Sequence, residues 1–298
     1  MQNTAMAMLA RQALLLALLA AAGADPQTRR VYVTALDSNG APISGLGLAD
    51  FTVKEGGRTC EITRAAPATG IIQVAILVDD NGTGLFRVAV ARFIEALFGR
   101  AEFAVLTVAG QTFKVVDYTT NRDELILAVT QLGARAATPE GGQLLDGIIE
   151  TAQDLLKRKA GRPNIVALTV GGEEHSPTPA HQALDRLRQS GAALYVVSVV
   201  GSNLRRNAAV TKPSELLNEN LSLNEVLGDG PKQSGGHREE IAAIAGVETG
   251  LRQLAEALKQ QYVIEYSLPA GAKPSDRLSV GVKRKGVTLR APTRIPDR

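Results

Sequence analysis

The segment that most constrains this chain is Ile71-Ile72-Gln73-Val74-Ala75-Ile76-Leu77-Val78, an almost unbroken apolar run that stops at Asp79-Asp80. A strand with one wet face alternates apolar and polar residues. A run without alternation belongs to a strand covered on both faces, as in parallel sheets packed between helices. The chain after it alternates in kind. Val88, Phe93, Ile94, Leu97 and Phe98 fall near helical spacing. Phe103 to Val108 and Thr112 to Val116 read as an antiparallel hairpin around Ala109-Gly110. Arg122 to Leu132 reads as a helix capped by Asn121. Leu144 to Lys159 is a second helix with Leu145, Ile148, Ile149, Ala152, Leu155 and Leu156 on one face. Ile165 to Thr169 is another buried strand, Pro179 to Ser190 a helix stopped by Gly191, and Leu194 to Val200 a further strand. Residues 201–236 are polar around a helix over Ser214 to Leu227, and Val247 to Gln261 is amphipathic. This order predicts an α/β fold: a doubly wound, mostly parallel sheet with helices on both faces.

Both ends are β-rich. Val31 to Leu36 is followed by the turn signal Asp37-Ser38-Asn39-Gly40. Phe51 to Glu55 and Thr59 to Thr63 alternate around Gly56-Gly57. The tail carries Tyr262 to Tyr266, Leu278 to Lys283 and Val287 to Arg290. Neither end has enough core to stand alone. The expectation is one small β module made from both. The predicted organisation is 1–24 signal peptide, 25–69 N-terminal strands pairing with 262–298, a central domain over 70–261, and 262–298 C-terminal strands.

Residues 1–24 read as an export signal. Arg11 precedes the run Ala13 to Ala22, and Ala22-Gly23-Ala24 supplies an A-x-A cleavage site. The run is shorter than the roughly 20 residues of a membrane span. The expectation is an exported chain, periplasmic or secreted, with no membrane span after cleavage. Cys60 is the single cysteine, which excludes an intrachain disulfide and a thiolate metal cluster. Its neighbours alternate, so it reads as a small buried apolar residue, with an intermolecular disulfide as the alternative. Lys+Arg 33 against Asp+Glu 30 leaves +3, and Phe 6, Tyr 5 and no Trp give few stacking surfaces, so nucleic acid is not an expected partner.

The run Ile76-Leu77-Val78-Asp79-Asp80-Asn81-Gly82-Thr83 resembles the first metal-site loop of von Willebrand factor type A (VWFA) domains, where the strand ends in D-x-S-x-S. Gln260 to Tyr266 is similar to the Q-Y-V-L-G-Y ending of a bacterial exported subgroup, and Asp50 to Gly56 to the segment preceding its domain. The resemblance covers about 70–268 and implies a Rossmann-like VWFA sheet. It also implies a magnesium site built from three loops: D-x-S-x-S, a threonine, and an aspartate after a later strand. Magnesium needs near-octahedral oxygen donors.

Matched residue by residue, that site is degenerate. Asp79 stands at the aspartate, with Asn81 and Thr83 at the two serines. Gly142 stands at the threonine and Val170 at the later aspartate, and neither side chain offers a donor. Thr138, Glu173 and Glu174 are the substitutes nearest in sequence, and with Asp80 they are the candidate partner-binding residues. The expectation is no cofactor, with weak magnesium binding by a rearranged ligand set as the alternative. An aspartate at position 79 equally suits a cap on the next helix, and Asp80 reads as a solvated neighbour.

His175 and His181 beside Glu173-Glu174 match no common metal spacing, and Gly45-Leu46-Gly47 precedes a strand where a dinucleotide fingerprint would follow one. Lys283-Arg284-Lys285 reads as a solvated turn that discourages edge pairing. A hydrolase using Asp79, Asp80 or the Glu173-Glu174 pair lacks a nucleophile or cofactor loop. The resemblance therefore implies a non-enzymatic exported protein that mediates protein–protein interaction or adhesion. Its partner would be a protein or cell-envelope component, met by the loops at 79–84, 134–143, 170–178 and 201–236.

Overall fold

A computed structural model describes residues 28–134, 142–172, 174–200 and 213–296. A six-stranded sheet forms the centre, in the order β10-β9-β8-β5-β6-β7. Its strands are β5 (Ile72–Asp79), β6 (Ala101–Ala109), β7 (Gln111–Thr119), β8 (Pro163–Thr169), β9 (Ala193–Val199) and β10 (His237–Ile241). All neighbours are parallel except β6 and β7. The apolar run explains itself in β5. Ile72, Val74, Ile76 and Val78 enter the core on one face, and Ala75 and Leu77 the core on the other.

Six helices flank it: α1 (Arg87–Leu97), α2 (Arg122–Gln131), α3 (Leu144–Lys157), α4 (Ala180–Ser190), α5 (Pro213–Ser234) and α6 (Ala245–Lys259). Helices α1, α2 and α6 bury their apolar stripes in the first core; α3 and α4 bury theirs in the second. Asn121 caps α2 by accepting from Asp123 N at 3.0 Å, and Gly191 ends α4 at φ +67°. The buried face of α1 is Ala89, Val90, Phe93, Ile94 and Leu97. Val88 and Phe98 are exposed, against the expected stripe: Val88 falls on the opposite side from Phe93, which packs edge-on against Phe103, and Phe98 lies past the last helical turn. In α3, likewise, Leu156 lies at the solvent edge.

The sixth strand, β10, was not expected from the sequence. Its residues His237-Arg238-Glu239-Glu240-Ile241 carry one aliphatic side chain, and its place at the sheet edge removes the need for more. Helix α5 also runs further than expected, to Ser234. The chain then passes so close to β9 that a Cβ on Gly236 would meet the Leu194 carbonyl oxygen at 1.8 Å.

The two ends of the chain pair. β1 (Thr28–Leu36) lies antiparallel to β11 (Tyr262–Ser267) and then to β13 (Thr288–Arg290). β4 (Glu61–Pro67) covers the other side of β11. β2 (Phe51–Glu55) pairs with β3 (Arg58–Thr59) and β12 (Leu278–Val282). These strands enclose a third core that includes Cys60, Phe51, Tyr262 and Tyr266. Cys60 is buried and free, the packing role read from its alternation. Glu55 sits inside this module, 1% exposed. It accepts from Tyr266 OH and Ser275 N, both at 2.9 Å, and faces Arg29 at 3.3 Å. Arg162, 3% exposed at the start of β8, joins the module to the central sheet. Its guanidinium donates to Gln261 Oε1, to the Gly70 carbonyl at 3.3 Å and to the Leu258 carbonyl.

Candidate functional site

The carboxyl ends of β5 and β8 meet in the middle of the sheet, where an open α/β fold places its ligands. Asp79 closes β5 and Thr169 closes β8, and the two are register partners. Thr169 Oγ1 donates to Asp79 Oδ2 at 2.6 Å and accepts from Gly171 N at 2.9 Å. Burial pushes the Asp79 carboxyl up to about 6. The Thr169 hydrogen bond opposes that rise, and the neighbouring Asp80 charge adds to it. Helix α1 begins eight residues later, with Phe86 at its N-cap position and no side-chain cap. Asp79 therefore does not cap a helix; its carboxylate is spent across the sheet.

The rest of the first loop turns away. Asn81 adopts φ +54°, a left-handed conformation that asparagine tolerates. Thr83 donates its hydroxyl to the Asp80 carbonyl at 2.8 Å. Both side chains are exposed. Arg87 pins the loop by donating Nε to the Leu132 carbonyl at 3.1 Å. Asp80, expected in solvent, is 3% exposed, and its Oδ2 has no hydrogen-bond partner.

The second and third loops close against each other. Gly142 forms bridges to both Gly110 and Glu174, and its carbonyl accepts from His175 N at 2.9 Å. A Cβ at Gly142 would stand 3.2 Å from Asp79 Oδ1, so the residue at the threonine position does face the aspartate but brings no oxygen. Val170 is 8% exposed and packs into the first core. Glu174 is 2% exposed and turned inward, away from the partner-facing role expected of it. It accepts from Leu144 N at 3.1 Å and Leu145 N at 3.2 Å, satisfying the first amides of α3, and from Ser176 N at 3.3 Å. Ser176 Oγ then accepts from Asp146 N, and Thr178 Oγ1 donates to Asp146 Oδ1 at 2.7 Å. Burial raises the Glu174 carboxyl to about 7 despite these bonds, with the Asp79 charge contributing. Thr138 and Glu173 lie outside the described residues, as do 1–24 and most of loop 134–143.

These residues do not fit magnesium. Asp79 is tied to Thr169, Thr83 is tied to a carbonyl, Gly142 and Val170 offer nothing, and Glu174 is committed to a helix start. Among the described residues no group of three His, Cys, Asp or Glu side chains is placed to hold a metal ion. Two parts of this arrangement escape sequence reasoning: Thr169 as the partner of Asp79, and Glu174 as the cap of α3. The only sequence signal for the second is Gln143, a poor N-cap residue before a strongly amphipathic helix.

No family model matches the sequence, and no curated relative matches it. Among solved structures the chain is similar to a von Willebrand factor type A protein from Catenulispora acidiphila, at 11% identity and a TM-score of 0.45, over 93% of this chain and 75% of that one. It is also similar to the conserved hypothetical protein BatB from Bacteroides thetaiotaomicron, at 12% identity and a TM-score of 0.44, over 63% of this chain and 100% of that one. The SpRpn10 VWA domain is a third, at 12% identity and a TM-score of 0.41, over 61% of this chain and 93% of that one.

Proposed function

We infer that this is an exported, non-enzymatic interaction module of the VWFA kind that binds a protein or envelope component without a divalent cation. The observation that carries the reading is the closure of the cradle. Glu174 occupies the start of α3, Gly142 lies against Asp79, and Val170 belongs to the core. Each missing anion removes attraction that would offset the dehydration of magnesium. Among the described residues, what remains at this end of the sheet is a set of internally bonded segments around Asp79, Gly142 and Glu174, suited to recognition by shape and direct polar contact. The hydroxyl beside a carboxylate at this site, Thr169 on Asp79, is also held by Gly171 N, a structural bond between strand ends that supports a binding role over a hydrolytic one. Export rests on the charged, apolar and small-residue order of 1–24, and no helix among the described residues is long and apolar enough to cross a membrane.

Affinity capture from an envelope extract tests the reading. The expected result is the same captured partner in magnesium and in EDTA. Capture that requires magnesium and is lost in Asp79→Ala would replace this reading with a metal-dependent adhesion module of rearranged ligands.

A further inference from the structure

Beside the closed cradle lies a second, separate feature. A cleft of about 340 Å³ opens between the ends of β5 and β6 and the end of α2, lined by Asp80, Gly82, Thr107, Lys114, Gln131 and Gly133 among others. Two of its walls carry buried polar groups with unmet bonding capacity. Asp80 is 3% exposed and its Oδ2 has no partner; Thr107 is 9% exposed and its Oγ1 has none. Such groups are costly to leave unpaired, and a native structure retains them where something else completes them. The cation in the lining does not do so. Lys114 gives its ammonium to Asp154 at 2.8 Å and to Asp117 at 3.4 Å. The cleft thus holds an oxygen-rich wall and a negative group without a counter-charge of its own.

We propose that this cleft receives a lysine-type ammonium from the partner, so that the key residue recognised is basic. The proposal rests on the interaction-module reading above and names the chemistry of its partner. One unpaired carboxylate oxygen and one unpaired hydroxyl on residues lining the same cleft suit a compact charge with three rotatable donors. A guanidinium fork prefers both oxygens of a carboxylate in one plane. A single anion with neutral oxygens is also too little for a hard divalent ion.

The test uses the full chain, isotopically labelled, with Nα-acetyl-lysine methylamide as probe. Parallel arms contain Nα-acetyl-arginine methylamide, Nα-acetyl-glutamate methylamide and magnesium chloride at matched ionic strength. The expected result is saturable shifts of the amide signals of Gly82, Thr107 and Gly133 with the lysine probe. Affinity should be weaker by about tenfold in Asp80→Asn and measurably weaker in Thr107→Val, each tenfold being worth about 1.4 kcal/mol. Asp80→Asn should melt no lower than the parent, since it removes an unpaired buried charge; Thr107→Val supplies the second variant. Absence of saturable shifts, an unchanged response in Asp80→Asn, or stronger binding of the arginine, glutamate or magnesium arm would overturn the proposal. Capture of a partner independent of magnesium, with no response to the lysine probe, would refute this inference alone and leave the module reading intact.

Discussion

Thr169 Oγ1 and Asp79 Oδ2, 2.6 Å apart, link the ends of two adjacent parallel strands at the place where the fold concentrates its ligands. The bond is internal: a hydroxyl of the neighbouring strand serves the carboxylate. Glu174 repeats the pattern one loop away, where backbone amides of α3 serve its carboxylate.

Both carboxyls bind protons more tightly folded than unfolded, Asp79 moving from 3.8 to about 6 and Glu174 from 4.5 to about 7. Protonation therefore favours the native state, and stability falls as pH rises from about 4 to about 7. The loss is on the order of 2 kcal/mol for the pair once solvent screening is allowed for. Urea midpoints between pH 4.5 and 8 should show this slope. Glu174→Gln should flatten its upper half, and Asp79→Asn its lower half.

Val170→Asp places a carboxylate in the first core, where nothing awaits it. It should destabilise by about 2–4 kcal/mol, as an unpaired buried charge does. Gly142→Thr alone should strain the contact with Asp79 Oδ1 and create no magnesium response. The double variant restores two missing donors. Magnesium should raise its melting temperature and leave each single variant unchanged, measured by calorimetry.

Glu55 is the charged hub of the β module. Glu55→Ala removes the carboxylate that faces Arg29 and leaves Tyr266 OH and Ser275 N without this acceptor, so it should cost about 3 kcal/mol. Tyr266→Phe should cost about 1 kcal/mol. Equilibrium unfolding followed by tyrosine fluorescence gives both values.

Arg162 ties three acceptors on two segments, Gly70 and the Leu258–Gln261 stretch, to the base of β8. Arg162→Ala should cost about 3 kcal/mol, and Arg162→Lys should recover little, since an ammonium cannot reproduce the planar fork. Hydrogen exchange should show the loss first in the amides around Gly70 and Gln261, the stretches that Arg162 holds.

The sequence carried the fold where burial is two-sided. Ile72 to Val78, Ile165 to Thr169 and Leu194 to Val199 announce themselves because both faces must be apolar. It was silent on β10, whose edge position tolerates Arg238, Glu239 and Glu240. In α1 Phe93, Ile94 and Leu97 were read onto the buried face, but Val88 and Phe98 are apolar yet exposed, and spacing alone cannot rank Val88 against Ala89 and Val90. In the site, Gly142 and Val170 were legible as positions without a side-chain donor, which is a property of the residue itself. The inward turn of Glu174 and the burial of Asp80 were not, since they depend on which amides and strands stand nearby. Glu55 and Arg162 were hidden for the same reason: Tyr266, which donates to Glu55, and Gln261, which accepts from Arg162, lie more than 90 residues away in sequence.

The central claim is that the loops have replaced a bound cation with their own side chains. Magnesium titration of the unmodified chain, followed by melting temperature and by isothermal heat, tests it most directly. A flat response in both, identical in Asp79→Ala, is predicted. A saturable rise in melting temperature with heat of binding, lost in Asp79→Ala, would contradict it.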